Sequence, residues 1–286
     1  MSFGPISVPR LRIKASQKES LLEKILTAAS VFAVLFSAAG AAQEGDPLLT
    51  RRGWEVGGQL AHYHYEEPDF AKLIGNRGGL VGAYTFTRAN RMFFRADGRG
   101  SYGALKYQGS GTQDSVPDLI IEARAVAGMD FLAGSSASLS PYLGLGYRYL
   151  YNDSRGYTST NSAGYQRYSN YLYAPVGLTT RLHLGDRWVL APTVEADIFI
   201  RGKQKSQLSD ANLGFNDVTN TQERGNGHRI YLMVEKDHLA FGAWTHYWHI
   251  EDSDVQFAGV VQGRRRFASE PENYTRESGL ELRYRF

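Results

Sequence analysis

The 286-residue chain predicts an all-β protein, a closed antiparallel up-and-down barrel of about ten strands that crosses a membrane, with eight strands as the alternative. Three observations carry this. The last residues alternate so that Leu280, Leu282, Tyr284 and Phe286 share one face and Glu281, Arg283 and Arg285 the other, as a strand between two different solvents requires. Similar two-faced segments recur through the chain. The connections between them alternate long and short, the rhythm of a barrel with loops at one end and turns at the other.

Composition agrees. The chain holds 31 Gly, 18 Tyr, 14 Phe and 4 Trp at a mean hydropathy of -0.37, too polar for a helical membrane protein but suited to strands that show lipid only every second side chain. There is no Cys, which excludes a disulfide scaffold, a thiolate metal site and a lipidated cysteine anchor.

Residues 25–39 form an apolar run preceded by Arg10, Arg12, Lys14, Lys18 and Lys24 and followed by the small residues Ala38 to Ala42. This is the pattern of a secretory signal peptide over residues 1–42, cleaved near Ala42. Its core of about 15 residues is shorter than the roughly 20 of a bilayer-spanning helix, the rival reading. Removal takes away five of the 32 Lys and Arg and two of the 29 Asp and Glu, leaving 27 of each. The mature chain is then neutral, and its basic pI does not point to nucleic acid.

Residues 43–53 read as a short periplasmic segment and 54–286 as the barrel. Strand one runs from Trp54 to Tyr65 and leads to a polar stretch, 66–78. Strand two, 79–87, turns at Arg88–Asn90 into strand three, 91–107, and a Gly-, Ser- and Thr-rich connection, 108–118. Strand four, 119–132, turns at 133–136 into strand five, 139–151, and the loop 152–169. Strand six, 170–184, turns at Gly185–Asp186 into strand seven, 187–201, and the loop 203–227. Strand eight, 228–235, turns at Lys236–Asp237 into strand nine, 238–250, and the loop 251–273; strand ten ends at Phe286.

One face of each strand is apolar and would meet lipid, since a cation there costs about 2–4 kcal/mol at mid-depth. The other faces carry Glu55, Arg95, Asp97, Arg99, Glu122, Arg124, Asp130, Arg148, Arg181, Glu195, Asp197, Arg201, Glu281, Arg283 and Arg285. A ten-stranded lumen is barely wider than the eight-stranded kind that side chains fill, so these charges should pair into a plug rather than line a wide channel. Trp54, Trp188 and Phe286 fall where one interfacial aromatic girdle should lie, and Tyr149, Tyr151, Trp244 and Trp248 where the other should.

The terminal strand resembles that of bacterial outer-membrane β-barrels, and the chain from Trp54 to Phe286 is similar to the broad group of small barrels that includes opacity-type, OmpA-like and OmpW-like proteins. The resemblance implies that Leu280, Leu282, Tyr284 and Phe286 are the signal read by the barrel assembly machinery. It implies a multi-pass outer-membrane location with both termini periplasmic, and a role in membrane integrity, adhesion or diffusion of small solutes. Ten-stranded barrels also include the omptin proteases, but strand nine lacks a closely spaced Asp-x-His and no matching acidic pair is present.

His62 and His64 beside Glu66, Glu67 and Asp69, and His246 with Asp252 and Asp254, are the remaining hydrolytic candidates. They are weak ones, so no catalytic residue is expected. His62-x-His64 lacks a third metal ligand, and no metal or other cofactor is expected. Lys203, Lys205, Arg264, Arg265 and Arg266 would lie near the outer leaflet, where lipopolysaccharide phosphates sit. The expectation is a monomeric, non-enzymatic barrel whose partners are outer-membrane lipid and lipopolysaccharide, with a narrow pore or a rim hydrolase as alternatives.

Overall fold

The computed structural model describes residues 46–211 and 214–286; the expected signal peptide lies outside them. Strands are β1 (Gly53–Glu67), β2 (Ala71–Thr87), β3 (Met92–Gly109), β4 (Gly111–Met129), β5 (Phe131–Ala133), β6 (Ala137–Tyr157), β7 (Ala163–Gly185), β8 (Trp188–Ser206), β9 (Val218–Gln222), β10 (Gly225–Lys236), β11 (Leu239–Ile250), β12 (Gln256–Val261), β13 (Arg264–Ala268) and β14 (Asn273–Arg285). Ten of them, β1, β2, β3, β4, β6, β7, β8, β10, β11 and β14, pair antiparallel with their neighbours, and β14 closes onto β1. Closure leaves no unpaired strand edge to face lipid.

The strands are longer than their alternation suggested, and this corrects the loop rhythm. The stretch 66–78 is mostly ladder, leaving only Pro68, Asp69 and Phe70 between β1 and β2, and Ser110 alone separates β3 from β4. What reads as loop is sheet rising past the apolar band. A polar outer face hides it, because above the hydrocarbon that face meets water and the apolar alternation of the lower strand is lost. Turns at the opposite, terminal end are tight: Asp186 and Arg187 both adopt positive φ, the hairpin geometry that matches sheet twist.

Outward side chains form the greasy belt. Leu60, Leu80, Leu143 and Leu280 are 72%, 67%, 66% and 67% exposed, a contiguous apolar exterior that water would not tolerate. At the terminal end the belt finishes in aromatic rings, with Trp54 and Tyr84 4.8 Å apart and Tyr284 and Phe286 5.0 Å apart. The Phe286 amide donates to the Trp54 carbonyl at 2.9 Å, so the chain end is fastened to the first strand.

Two glycines make room for rings inside. A Cβ on Gly146 would meet the Tyr173 ring at 2.2 Å, and one on Gly177 would meet the Tyr142 ring at 2.3 Å. Each tyrosine therefore lies flat across its neighbouring strand and delivers its hydroxyl to the lumen centre. Residues 46–52 form a strap tucked into the terminal mouth. The Thr50 amide and hydroxyl donate to Asp130 at 2.8 and 2.7 Å, Ser138 donates to the Leu48 carbonyl, and Leu48 is buried.

Candidate functional site

Among the described residues charge converges in the lumen, where it is organised in layers. Nearest the terminal mouth, Asp130 also accepts Ser140 Oγ at 2.6 Å, with Arg181 4.0 Å away. Arg285 pairs with Glu235 at 2.7 Å, and Arg283 binds Glu281 and reaches Glu55 at 3.3 Å. Above them Arg95 donates to Glu55 at 2.7 Å, while Arg124 bridges Asp97 at 2.8 Å and Glu195 at 2.7 Å, the latter also accepting Tyr142 Oη at 2.7 Å.

The next layer is the densest. Arg99 donates to Glu122 at 2.7 Å and, through both terminal nitrogens, to Glu277 at 2.9 and 3.2 Å; Arg148 reaches the same Glu277 at 3.2 Å. Arg229 sits at the hub. Its Nε lies 2.6 Å from Asp197 and 3.1 Å from Glu195, and its Nη2 bonds Glu122 and, at 2.9 Å, Tyr173 Oη. Forked guanidiniums suit this role because each can satisfy several carboxylates from one fixed plane.

Fourteen of the fifteen charges expected inside thus point inward. Arg201 does not. The β7–β8 register shifts between Leu172 and Tyr173, which pair with Arg201 and Phe199. Phe199 keeps the inward phase of Glu195 and Asp197, but the extra residue, Ile200, turns Arg201 out and Gly202 in, so the alternation that placed Arg201 inside breaks at that bulge.

Sequence reading missed Arg229, Glu277, Arg77 and Asp118, though the first two were within reach. Arg229, Tyr231, Met233 and Glu235 alternate against Ile230, Leu232 and Val234, and Glu277 continues the inward set of Glu281. Arg77 and Asp118, an ion pair that passes over Gly103 of the intervening strand along the lumen wall, fell in stretches read as loop.

The larger correction is an apolar seal on the loop side of the ions. Tyr63, Leu73, Leu105, Val116 and Ile120 form one buried cluster, and Tyr171, Tyr173, Phe199, Trp248 and Ile250 another. Trp244 and Trp248 are therefore lumen residues, 4% and 1% exposed, and not part of a girdle. Trp248 packs edge-on against Tyr173 at 5.0 Å and carries Arg148 and Arg229 at 5.3 and 5.9 Å from its ring. Position alone did not reveal this, because a Trp suits an interface and a lumen equally.

At the loop mouth Arg167 pairs with Glu67 at 2.5 Å, and the connection after β13 lays Glu270 beside them. Ser206 Oγ donates to Glu270 at 2.6 Å, and the backbone of Ser253 and Glu270 is joined at 3.0 Å. Burial pushes the Glu270 carboxyl above its ordinary value, against the opposing pull of Arg167. A raised folded value means that docking of this connection is strongest below pH 4.5, the ordinary glutamate value, and weakens as pH rises through the raised one. Protease cleavage within 252–272 should accordingly be faster at pH 8 than at pH 4, as measured by mass spectrometry with a pH-insensitive reference site. Glu270→Gln should remove the difference; persistence in that variant would refute the assignment.

The histidines do not assemble. His62 and His64 face outward, bonded to Asn76 at 3.0 Å and Glu66 at 3.2 Å, whereas His246 is buried in the lumen against Tyr231 Oη at 2.5 Å. Asp252 accepts the Glu272 amide at 2.5 Å, and Asp254 accepts that of Thr221 at 2.6 Å; both lie at the loop end. Among the described residues no three His, Cys, Asp or Glu side chains gather as metal ligands. Lys203 and Lys205 project outward from the loop end of β8, and Arg264, Arg265 and Arg266 are exposed on the β12–β13 hairpin. Leu280, Leu282 and Tyr284 face out.

An apolar exterior, a closed ten-strand sheet and an ion-filled interior define an outer-membrane β-barrel. No family model matches the sequence, and no curated protein matches it. Among solved structures the chain is similar to the outer membrane protease OmpT from Escherichia coli, with a TM-score of 0.52 and 11% identity over 82% of this chain and 96% of that one. Neisserial surface protein A aligns with a TM-score of 0.33 and 14% identity over 82% and 97%. The attachment invasion locus protein Ail of Yersinia pestis aligns with a TM-score of 0.30 and 11% identity over 82% and 99%. At 11% identity the likeness to OmpT is one of fold alone.

Proposed function

We propose that this chain is a non-enzymatic, non-conducting barrel of the bacterial outer membrane, which reinforces the membrane or binds external partners through its loops. The terminal end faces the periplasm and the raised strands face outward. The observation that carries this is the double occlusion of the lumen. A paired ionic layer and an apolar seal are stacked along one path, and an ion crossing both would shed water at each. In planar bilayers the purified protein should leave the baseline current flat at a holding potential of about 100 mV, a drive of roughly 2.3 kcal/mol per elementary charge; stepwise currents would establish the narrow pore instead. A rim hydrolase gains no support from geometry, since His62 and His64 stand on the opposite side of the sheet from His246.

Partners follow from the exterior. Lys203 and Lys205, joined by Arg201 through the β8 bulge, make an outward basic column beside Tyr168 and Asn170, placed to meet lipopolysaccharide phosphates as a monomer. Arg264, Arg265 and Arg266 are a second such patch, with Arg265 stacked 5.1 Å from Phe257. Replacing Arg201, Lys203 and Lys205 with Gln should lower co-purifying lipopolysaccharide several-fold by phosphate assay, and unchanged retention would remove the column from the account. Leu280, Leu282, Tyr284 and Phe286 serve as the strand engaged by the assembly machinery.

A further inference from the structure

Beneath the ionic layers a cavity of ≈ 130 Å³ lies between the strap and the barrel wall, next to a hollow of ≈ 300 Å³ at the terminal mouth. Three guanidiniums line the inner cavity with donors to spare. Arg181 donates to Ser140 at 3.1 Å, and its nearest carboxylate, Asp130 at 4.0 Å, already accepts Thr50 and Ser140. Arg285 uses its terminal nitrogens on Glu235 and the Leu239 carbonyl, but its buried Nε makes no hydrogen bond, and the residue is 6% exposed. Arg51, carried in by the strap, donates to the Asp237 backbone carbonyl rather than to a carboxylate. Burial first, and the positive charge of Arg285 second, push the Arg51 guanidinium below its ordinary value.

Beyond Glu235, which Arg285 already holds, the carboxylates of the wall are engaged elsewhere. Glu55 is held by Arg95 and Arg283, and Asp97 by Arg124. At the mouth Arg187 pairs with Asp237 at 2.8 Å and Lys236 with Asp186 at 3.2 Å, which leaves Arg51 and Arg285 to share Glu235 among the charges lining the hollow, a local excess of positive charge that draws anions inward. Thr179 and Thr193, whose hydroxyls lie 2.8 Å apart, add neutral polar groups to the wall.

We propose that this vestibule binds a small oxyanion, a phosphate or a carboxylate, between Arg51, Arg181 and Arg285. The inner cavity is well below the roughly 300–1,000 Å³ of clefts that take drug-sized ligands, so the ligand is a single anionic group or the anionic tip of a larger molecule. Because Arg51 belongs to the strap, the site is complete only while residues 46–52 are seated.

The test is calorimetric titration of inorganic phosphate, and separately of acetate, into the detergent-solubilised protein, with sodium chloride at equal ionic strength as reference. Saturable binding of at least one oxyanion is expected, and its preference identifies the chemistry. Arg181→Gln and Arg51→Gln should each weaken it at least tenfold, while Lys106→Gln, on the outer surface, should leave it unchanged. Should Arg181→Gln fail to refold, Arg51→Gln decides alone, since Arg51 stands outside the barrel ladder. No heat beyond that of chloride, or full affinity in the Arg51 variant, would overturn the proposal.

Discussion

Replacing Arg229 with Met is expected to destabilise the barrel by about 3–5 kcal/mol, the usual cost of removing one partner from a buried ion cluster. The residue is 1% exposed and serves Asp197, Glu195 and Glu122 together. Its loss leaves three carboxylates crowded in a dry lumen with Arg124 and Arg99 as the remaining counter-charges. Reversible urea unfolding in lipid vesicles, followed by Trp fluorescence, measures the cost. Adding Asp197→Asn to the Arg229→Met variant should recover part of it, because one uncompensated charge is removed. A loss under about 1 kcal/mol, the scale of an ordinary exposed pair, or no recovery in the double variant, would show that Arg229 is not the hub.

Trp248→Ala should cost a comparable amount, about 3–5 kcal/mol, the range for large-to-small changes in well-packed interiors. Here the loss is of packing and not of charge: the ring is 1% exposed and fills the space between Tyr171, Tyr173, Phe199 and Ile250. Trp248→Phe, which keeps an aromatic surface, should cost less than half as much. The same unfolding assay tests it, with Tyr fluorescence or circular dichroism compensating for the lost chromophore. If the Ala and Phe variants unfold alike, the apolar seal contributes little to stability.

Period-two alternation made the fold legible because the two faces of each strand meet opposite solvents, and fourteen of the inward charges could be placed by counting alternate residues along their own strands. Counting fails at a bulge, where one extra residue inverts everything beyond it, as at Arg201. It fails again where the outer solvent changes from lipid to water. There His62, His64 and Glu66 alternate with Tyr63, Tyr65 and Glu67, and the tyrosines and Glu67 are the ones inside. The vestibule could not be read from pattern at all. It needs Arg51, Arg181 and Arg285, which are far apart along the chain and are brought together by closure and by the strap.

The height of the sheet has a mechanical meaning. β7 has 23 residues, about 75 Å of extended chain at roughly 3.3 Å per residue, whereas a tilted strand crosses the bilayer in about 9–11. More than half of that stave stands clear of the hydrocarbon and is hydrogen-bonded to its neighbours on both sides. A shear force applied to the tips would be shared across this rigid chimney and its neighbouring staves rather than borne by one pliable filament.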